Sequence, residues 1–336
     1  MENKSIIVSA PGRIDLSGGA TDWCGMHTLS MAINLRAYVR LTKLTRPKQV
    51  HIKIGDLEEV YTKPKYGTEL DLFKAVIELS KLSGFKIEYS TQIPRGSGLG
   101  GSAPLTVATL FALNSMFDRG WNLYYIAELA QRAETLKLKT VNGYQDQYTA
   151  AFGGLLFLDF NGKSCQKGKY SQPVEKEPYT AVERLDKYQP EFHTIIAIPK
   201  IKRASSNQTN SRVSERYLAG EAKIVALMNK KARLTQEAKK KVVNHEMEKL
   251  YKIINLNNAI MRKFGFVSED NERIIAIANK HKALATKTCG AGWGAVAVFA
   301  KDQNQQNKIM NALKDEVVFI RSVKPAKGVR FEKKFR

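Results

Sequence analysis

Cysteine is scarce in this chain. Its three thiols, Cys24, Cys165 and Cys289, stand far apart in 336 residues and in no C-x-x-C arrangement, which argues against a disulfide framework or a cysteine-built zinc site and predicts three free thiols. Long apolar runs are missing as well. No stretch approaches the roughly eighteen apolar residues that a spanning helix needs, and the opening MENKSIIVSAPGR has neither the apolar run nor the cleavage site of a secretory signal. A soluble, cytoplasmic protein without a membrane partner is the expectation. Low-complexity segments, Pro/Gly/Ser linkers and internal repeats are also absent, so any domain boundary is soft.

Acidic residues fall short of basic ones, 32 against 54, a net charge of +22. Such an excess suits an anionic ligand, either nucleic acid or phosphorylated metabolites; it equally suits lysine-rich, solvated faces, because the positive residues are dispersed. Two local concentrations stand out: Lys239, Lys240 and Lys241, and the tail RSVKPAKGVRFEKKFR with seven basic residues and one acid. Neither is interleaved with aromatics as a base-stacking surface would be, which disfavours nucleic acid as a partner.

What is present is a core-forming complement, 43% hydrophobic residues, enough for one large domain or two moderate ones. The first 60 residues read as strands, IIVSA, MAINLRAYVRLTKL and QVHIKI, punctuated by SGGATDWCGM. Leu72, Val76, Leu79 and Leu82 recur at helical spacing and predict a helix over 71–82. In FKIEYSTQIP, Ile87, Tyr89, Thr91 and Ile93 alternate with Glu88, Ser90 and Gln92, the pattern of a strand with one wet face. The helix APLTVATLFALNSMF follows, with Ser102 placed as its N-cap and Pro104 tolerated in its first turn. Then come a helix LYYIAELAQRAETLKL, a loop TVNGYQDQYTAAFGG and a strand LLFLDF. From about residue 190 the types repeat: strand HTIIAIP, a long helical region over about 211–264, helix NERIIAIANKH, the segment TKTCGAGWGAVAVFA and a strand near VVFIRSV. Alternating strands mixed with helices in both halves predict an α+β protein with largely antiparallel sheets.

The segment GSGLGGS, residues 96–102, joins a strand to a helix whose first turn presents unpaired N–H groups. Glycines let phosphate oxygens approach the main chain, and the positive end of the helix dipole favours their charge. The bare pattern also matches G-x-G-x-x-G. A dinucleotide-binding site, however, wants a fully buried parallel strand before the glycines, whereas this strand alternates, ends at Pro94 and lies almost a hundred residues in. The signature G-x-x-x-x-G-K-[ST] is absent. Phosphate binding by a loop of another kind is the reading that remains.

Residues 94–103, PRGSGLGGSA, resemble the second motif of the GHMP kinases, the family named for galactokinase, homoserine kinase, mevalonate kinase and phosphomevalonate kinase. Residues 10–22, APGRIDLSGGATD, resemble its first motif, and residues 287–294, KTCGAGWG, its third. The three occur in order and near the family's spacing, so the resemblance spans essentially the whole chain. More narrowly, GGATD at 18–22 and NGYQDQY at 142–148, followed by AAFGG at 150–154, resemble the branch of heptose-phosphate kinases and fucokinase-type sugar kinases, which read G-G-x-[TS]-D and G-x-Q-D-Q-Y in these places.

The resemblance implies a two-domain α+β fold: an N-terminal ATP-binding domain, residues 1–185, with a left-handed βαβ crossover, and a C-terminal ferredoxin-like domain, residues 186–336. The active site would lie in the cleft between them. It implies ATP held by Gly96, Ser97, Gly98, Leu99, Gly100, Gly101 and Ser102, and Mg²⁺ held by Ser102 and Glu134, hard oxygen ligands for a hard cation. Asp146 matches the catalytic aspartate that accepts the substrate proton, and Arg13 the basic residue that pairs with it; a permanently charged guanidinium suits charge stabilisation, not proton shuttling. Asp22 matches a residue that hydrogen-bonds substrate hydroxyls, with Gly19, Thr21, Gln145, Tyr148, Gly290, Ala291 and Gly292 as its companions around the substrate. The outside alternatives are a turn-capping role for Asp146 and an exposed helical position for Glu134.

Two departures matter. Trp293 stands where the third motif usually has glycine, so its indole must point away from the loop's site, narrow it, stack on a ligand or pack as core. Gly101 replaces the commoner first serine of the second motif, but Ser102 remains. The expected function is ATP-dependent transfer of a γ-phosphoryl group to a hydroxyl of a sugar or sugar phosphate, of the heptose 7-phosphate, fucose or galactose kind. The alternative is a mevalonate-pathway kinase acting on an anionic phosphorylated substrate such as mevalonate 3-phosphate. A third reading, a non-catalytic relative that binds ligand or nucleic acid, is opposed by Arg13, Ser102, Glu134 and Asp146 standing together. The partner is then a small molecule, and a homodimer is allowed.

Overall fold

The computed structural model describes residues 4–61, 66–139, 142–163, 178–200, 206–291 and 293–335, with side chains omitted at 206–208 and 333–335. Cys165 and Gly292 fall outside the described residues.

Two long strands organise the larger sheet. β1 (Ser5–Ser17) and β2 (Thr28–Lys43) run antiparallel; β1 extends well beyond the short run IIVSA that marks it in the sequence, whereas β2 follows the run MAINLRAYVRLTKL closely. Residues 10–17, read as a motif, are therefore strand and not loop. β1 carries register shifts between Pro11 and Arg13 and between Asp15 and Ser17, the local kinks by which a strand re-aims its side chains. The sheet continues from β2 through β5 (Phe85–Thr91) to β3 (Val50–Ile54) and β4 (Leu57–Tyr61), while β6 (Leu155–Asp159) joins the other end of β2 and carries β7 (Ala181–Arg184). Pairings are antiparallel except β3 with β5, between which the chain runs through β4 and then α1 (Asp71–Ser80). The basic tail supplies β12 (Arg330–Phe335), which pairs with β1.

Helices cover this sheet. α2 (Ser102–Met116) is buried on nearly every side, and α3 (Leu123–Arg132) and α4 (Gln145–Phe152) pack with it over Val8, Ala10, Val39 and Leu41. The segment read as a loop over 140–154 is in fact largely α4. Its apolar face, Tyr148 and Ala151, is short and its composition polar, so periodicity does not announce it.

The second sheet has the order β11 (Val317–Val323), β8 (His193–Pro199), β10 (Val296–Ala300), β9 (Ala285–Thr288), antiparallel throughout. In chain order this is 4-1-3-2, the ferredoxin-like arrangement. Ile195, Ala197, Val296 and Val298 face α8 (Glu269–Lys280) and α9 (Gln303–Leu313), whereas Ile196, Ala297 and Phe299 belong to the larger core. Both faces are covered, hence the nearly unbroken apolar strands.

The long helical region expected over about 211–264 is made of three helices: α5 (Ser206–Leu218), α6 (Ala222–Val243) and α7 (Met247–Lys263). The breaks fall at Gly220 and His245, both with positive φ, 74° and 55°, a conformation that ends a helix. Ile224, Met228, Leu234, Leu250 and Ile254 from α6 and α7 meet Ile14, Leu16, Leu29 and Met31 from β1 and β2 in one cluster, so these helices bind the larger sheet to the smaller. The run Lys239–Lys241 is part of α6, where Lys239 pairs with Glu183 and Lys241 with Glu246, a solvated face. Among the described residues, no helix is long and apolar enough to cross a membrane.

Candidate active site

The loop before α2 is shaped by its glycines. Gly96, Gly98 and Gly100 have φ of 71°, 76° and 72°, the left-handed region in which other residues are strained. Gly98 is fixed by contact too: a Cβ there would lie 2.3 Å from the Cys289 carbonyl oxygen, and one on Gly294 would meet the same oxygen at 2.3 Å. The Ala295 N–H donates to the Ser97 carbonyl at 2.7 Å. The third glycine segment thus buttresses the second, backbone against backbone. Together they border a cavity of about 580 Å³, lined by Gly96, Ser97, Gly98, Gly100, Gly101 and Ser102 with Gly290 and Ala291. Leu99 is the exception. It is buried in the core, and its carbonyl accepts the Arg13 N–H at 2.9 Å.

Ser102 does not cap α2 with its side chain. Gly101 is the N-cap, Ser102 begins the helix, and the Ser102 hydroxyl donates to Glu134 Oε2 at 3.0 Å. A carboxylate is the stronger partner for a hydroxyl proton. Glu134 sits in a π-helical turn, Ala133–Lys137, that continues α3; such a bulge turns a side chain away from the regular helix face. Its carboxylate also accepts from Asn142 Nδ2 at 2.5 Å and from Gln147 Nε2 at 2.9 Å. Burial pushes its pKa up to about 7, helped by nearby Asp146 and opposed by the three hydrogen bonds.

Arg13 and Asp146 meet beneath this loop. Arg13 Nε donates to Asp146 Oδ1 at 2.7 Å, Nη2 to Oδ2 at 2.9 Å, and Nη1 to the Gly98 carbonyl at 2.5 Å. Burial alone would lower the Arg13 pKa, but Asp146 and Asp15 override it and hold the guanidinium charged. Asp146 lies in the first turn of α4, not on a capped turn, and keeps 28% of its side chain exposed while Arg13 keeps 8%. Gly100 is bare because of this pair: a Cβ there would meet Asp146 Oδ2 at 3.0 Å and Arg13 Cγ at 3.3 Å.

A second, smaller cavity of about 60 Å³ opens on the other side of the pair, lined by Arg13, Asp15, Gly19, Asp22, Gln145 and Asp146 among others. Asp22 occupies a short 3₁₀ turn, Asp22–Cys24, in the β1–β2 connection, and accepts the Gln145 N–H at 2.9 Å. Gly143 has no room for a side chain, since its Cβ would fall 1.9 Å from Asp22 Oδ2. Burial raises the Asp22 pKa to about 6; the Gln145 N–H opposes this and Asp146 adds to it.

Of the expected substrate residues, Gly19, Asp22, Gln145, Gly290 and Ala291 come together around this cavity. Thr21 and Tyr148 do not line it. Thr21 is fully buried, its hydroxyl directed to the His27 carbonyl at 3.4 Å. Tyr148 is core, donating to Glu128 Oε1 at 2.6 Å, because position 148 faces α3 and not the cleft. Gly292 is outside the described residues. Trp293 points away: its Nε1 donates to the Gly265 carbonyl at 3.3 Å, beyond α7. Its φ of 58° explains why glycine suits the position.

Sequence reasoning missed three buried charges. Lys287 Nζ donates to Asp15 Oδ2 at 2.7 Å, and both lie inside motifs whose glycines drew attention first. Lys231 is fully buried on α6, its Nζ donating to the Gly19 carbonyl at 2.7 Å with Met261 Sδ at 2.9 Å. Burial lowers its pKa to about 7, and Lys287 adds to the effect. A signal existed: Leu227, Lys231, Leu234 and Ala238 follow the helical apolar spacing, so Lys231 interrupts an inward stripe.

The model of the GHMP kinases N terminal domain matches residues 70–154, that of the GHMP kinases C terminal region residues 238–318, and the galactokinase galactose-binding signature residues 1–43. The chain is 27% identical over 335 residues to D-glycero-alpha-D-manno-heptose 7-phosphate kinase of Campylobacter jejuni, covering 94% of this chain and 95% of that protein. It is 24% identical over 337 residues to mevalonate kinase of Pyrococcus furiosus, covering 92% of each. The crystal structure of Lactococcus lactis galactokinase complexed with galactose superposes with a TM-score of 0.76 at 18% identity, over 97% of this chain and 95% of that one, which shows a shared fold. Matched by the family's models at both ends and alike in fold along its length, the chain belongs to the GHMP kinases.

Proposed function

We propose that this chain is an ATP-dependent phosphotransferase that moves the γ-phosphoryl group onto a hydroxyl of a sugar or sugar phosphate. The observation that carries this reading is the Arg13–Asp146 pair at the seam of two cavities, one bordered by the glycine loop and the other by polar side chains. Phosphoryl transfer needs positioned reactants, neutralised phosphate charge and a group to orient or deprotonate the hydroxyl. In this reading the loop of Gly96, Ser97, Gly98, Gly100 and Gly101 holds the triphosphate with its amides, at the N-terminus of α2. Asp146, in the partly exposed position at the seam, receives the hydroxyl proton, and Arg13 holds that carboxylate in place. Asp22 and Gln145 take the acceptor's remaining hydroxyls.

Ser102 and Glu134 fit a divalent cation. They offer hard oxygens, and Glu134 is a buried carboxylate whose pKa rises to about 7 chiefly through burial, the situation a cation relieves. No cluster of three or more His, Cys, Asp or Glu suited to a metal occurs among the described residues. Bound to Ser102 and Glu134, an ion such as Mg²⁺ would supply charge neutralisation to the triphosphate. In the same reading the chain divides into residues 1–185 and 186–336, with β12 returning to the first sheet, and works in the cytoplasm.

A mevalonate-type acceptor is the second reading, favoured by the likeness to the Pyrococcus furiosus enzyme over 92% of both chains. A panel of neutral sugars, heptose phosphates, mevalonate and mevalonate phosphates, assayed for ADP release with ATP and Mg²⁺, tests the proposal. Turnover of a sugar or sugar phosphate supports it, turnover of mevalonates alone transfers it to the second reading, and no turnover anywhere sinks both.

A further inference from the structure

Six described residues border both cavities: Arg13, Asn142, Asp146, Asn210, Gly290 and Ala291. A group in that position reaches donor and acceptor at once, so what each of the six still has to offer decides its use. Arg13 and Asp146 are engaged with one another. Asn142 gives its Nδ2 to Glu134, and Gly290 and Ala291 bring little but main chain. Asn210 is different. It lies outside all the glycine-bearing motifs of the chain, and its carboxamide makes no side-chain hydrogen bond among the described residues, with Oδ1 both covered and without a partner.

The helix α5 sets its position. Asn210, Val213, Ser214 and Tyr217 recur at spacings of three and four and so share one face. Val213 and Ser214 are buried, Val213 in the cluster that joins the two sheets. Tyr217 sets its ring edge-on to Trp23, with centroids 5.5 Å apart, and Trp23 lines the small cavity. The inward stripe of α5 thus ends, toward its N-terminus, in a polar side chain that meets the seam in place of core. An amide left without partners in such a place carries a desolvation cost that a ligand relieves. Carried on a packed helix and not on a loop, it is held in a fixed position.

We propose that Asn210 is a further catalytic residue of the phosphoryl transfer, its carboxamide bridging the two reactants: Nδ2 donates to an oxygen of the group in transfer, and Oδ1 accepts from the acceptor molecule. The proposal rests on the kinase reading above and adds a residue to it. In the step, the acceptor oxygen bonds to the γ-phosphorus while the bond from that phosphorus to the β–γ bridging oxygen breaks. The hydroxyl proton passes to Asp146, and ADP leaves with the electron pair of the broken bond. The group in transfer spreads its charge over three equatorial oxygens, and an N–H fixed at the seam stabilises that charge without adding one of its own.

The test compares the parent with Asn210→Ala, Asn210→Asp and Asn210→Ser by steady-state ADP release on the best acceptor of the panel above, with thermal unfolding of each. Loss of the donor in Asn210→Ala should lower kcat by about 100-fold while KM for ATP stays within about threefold. Asn210→Asp keeps the size of the side chain and replaces its donor with negative charge, so kcat should fall at least as far. A serine hydroxyl both donates and accepts, so Asn210→Ser should recover part of the kcat lost in Asn210→Ala, which a merely structural position would not do. A kcat for Asn210→Asp within about threefold of the parent's, or a rise in KM for ATP that accounts for the whole loss, overturns this inference and leaves the kinase reading standing. Absence of turnover by the parent on every acceptor overturns the kinase reading, and this inference with it.

Discussion

Arg13 grips both oxygens of Asp146, at 2.7 and 2.9 Å, from the opposite end of the N-terminal half of the chain. The fork geometry is specific to a guanidinium, and the third nitrogen reaches the Gly98 carbonyl, tying the carboxylate to the glycine loop. Lysine offers a single point of charge. Arg13→Lys should therefore lower kcat by about 10–100-fold with little change in the KM for ATP, read by steady-state ADP release. Equal losses in kcat and ATP affinity would place Arg13 in nucleotide binding instead.

Asp22 links pH to stability with a definite sign. Its folded pKa, about 6, lies above its ordinary 3.8, so the folded protein binds this proton more tightly. The stability it contributes is present below the ordinary value and is lost as pH rises through about 6. Asp22→Asn cannot ionise. Urea denaturation should find it more stable by about 1–3 kcal/mol above pH ~7, with the gain gone near pH ~4. Its kcat/KM should fall by at least about tenfold, because a hydroxyl partner has been weakened.

Gly98 and Gly55 separate backbone strain from collision. Both have positive φ, 76° and 57°, but a Cβ on Gly55 meets nothing within 4 Å, whereas one on Gly98 lies 2.3 Å from the Cys289 carbonyl. Gly55→Ala should cost about 1 kcal/mol. Gly98→Ala should cost about 2–4 kcal/mol and weaken ATP binding, measured by thermal unfolding and calorimetry.

Trp293→Gly should be quiet at the active site. The indole bonds to Gly265 and lines neither cavity. KM for ATP and for the acceptor should stay within about twofold of the parent, since substitutions remote from a site rarely perturb it more. A larger change in either constant would show that the indole reaches a ligand.

The glycine loop was legible because its chemistry is local: residues 96–101 can be read as residue types at fixed spacing, whereas Arg13, Ser102, Glu134 and Asp146 are named only through the family resemblance. Legibility failed where a long-range partner decides the outcome. Ser102 reads as a cap, yet its proton goes to Glu134, thirty-two residues away. Tyr148 shares a motif with Asp146 but faces the opposite side of α4, toward Glu128. The helix α4 itself was hidden by its polar composition, and the breaks at Gly220 and His245 by helix-favouring neighbours. Lys231 shows the opposite lesson: a charge within an apolar stripe is visible in sequence, but only packing against Gly19 and Met261 tells what it holds.

The central claim, that Asp146 takes the acceptor proton beside ATP held by the glycine loop, meets its most direct test in Asp146→Asn, assayed for acceptor-dependent ADP release and, separately, for ATP binding by calorimetry. Turnover should drop by about 10²–10⁴-fold while ATP affinity stays close to the parent's. Turnover left unchanged, or a loss of ATP binding that accounts for the whole effect, would contradict the account.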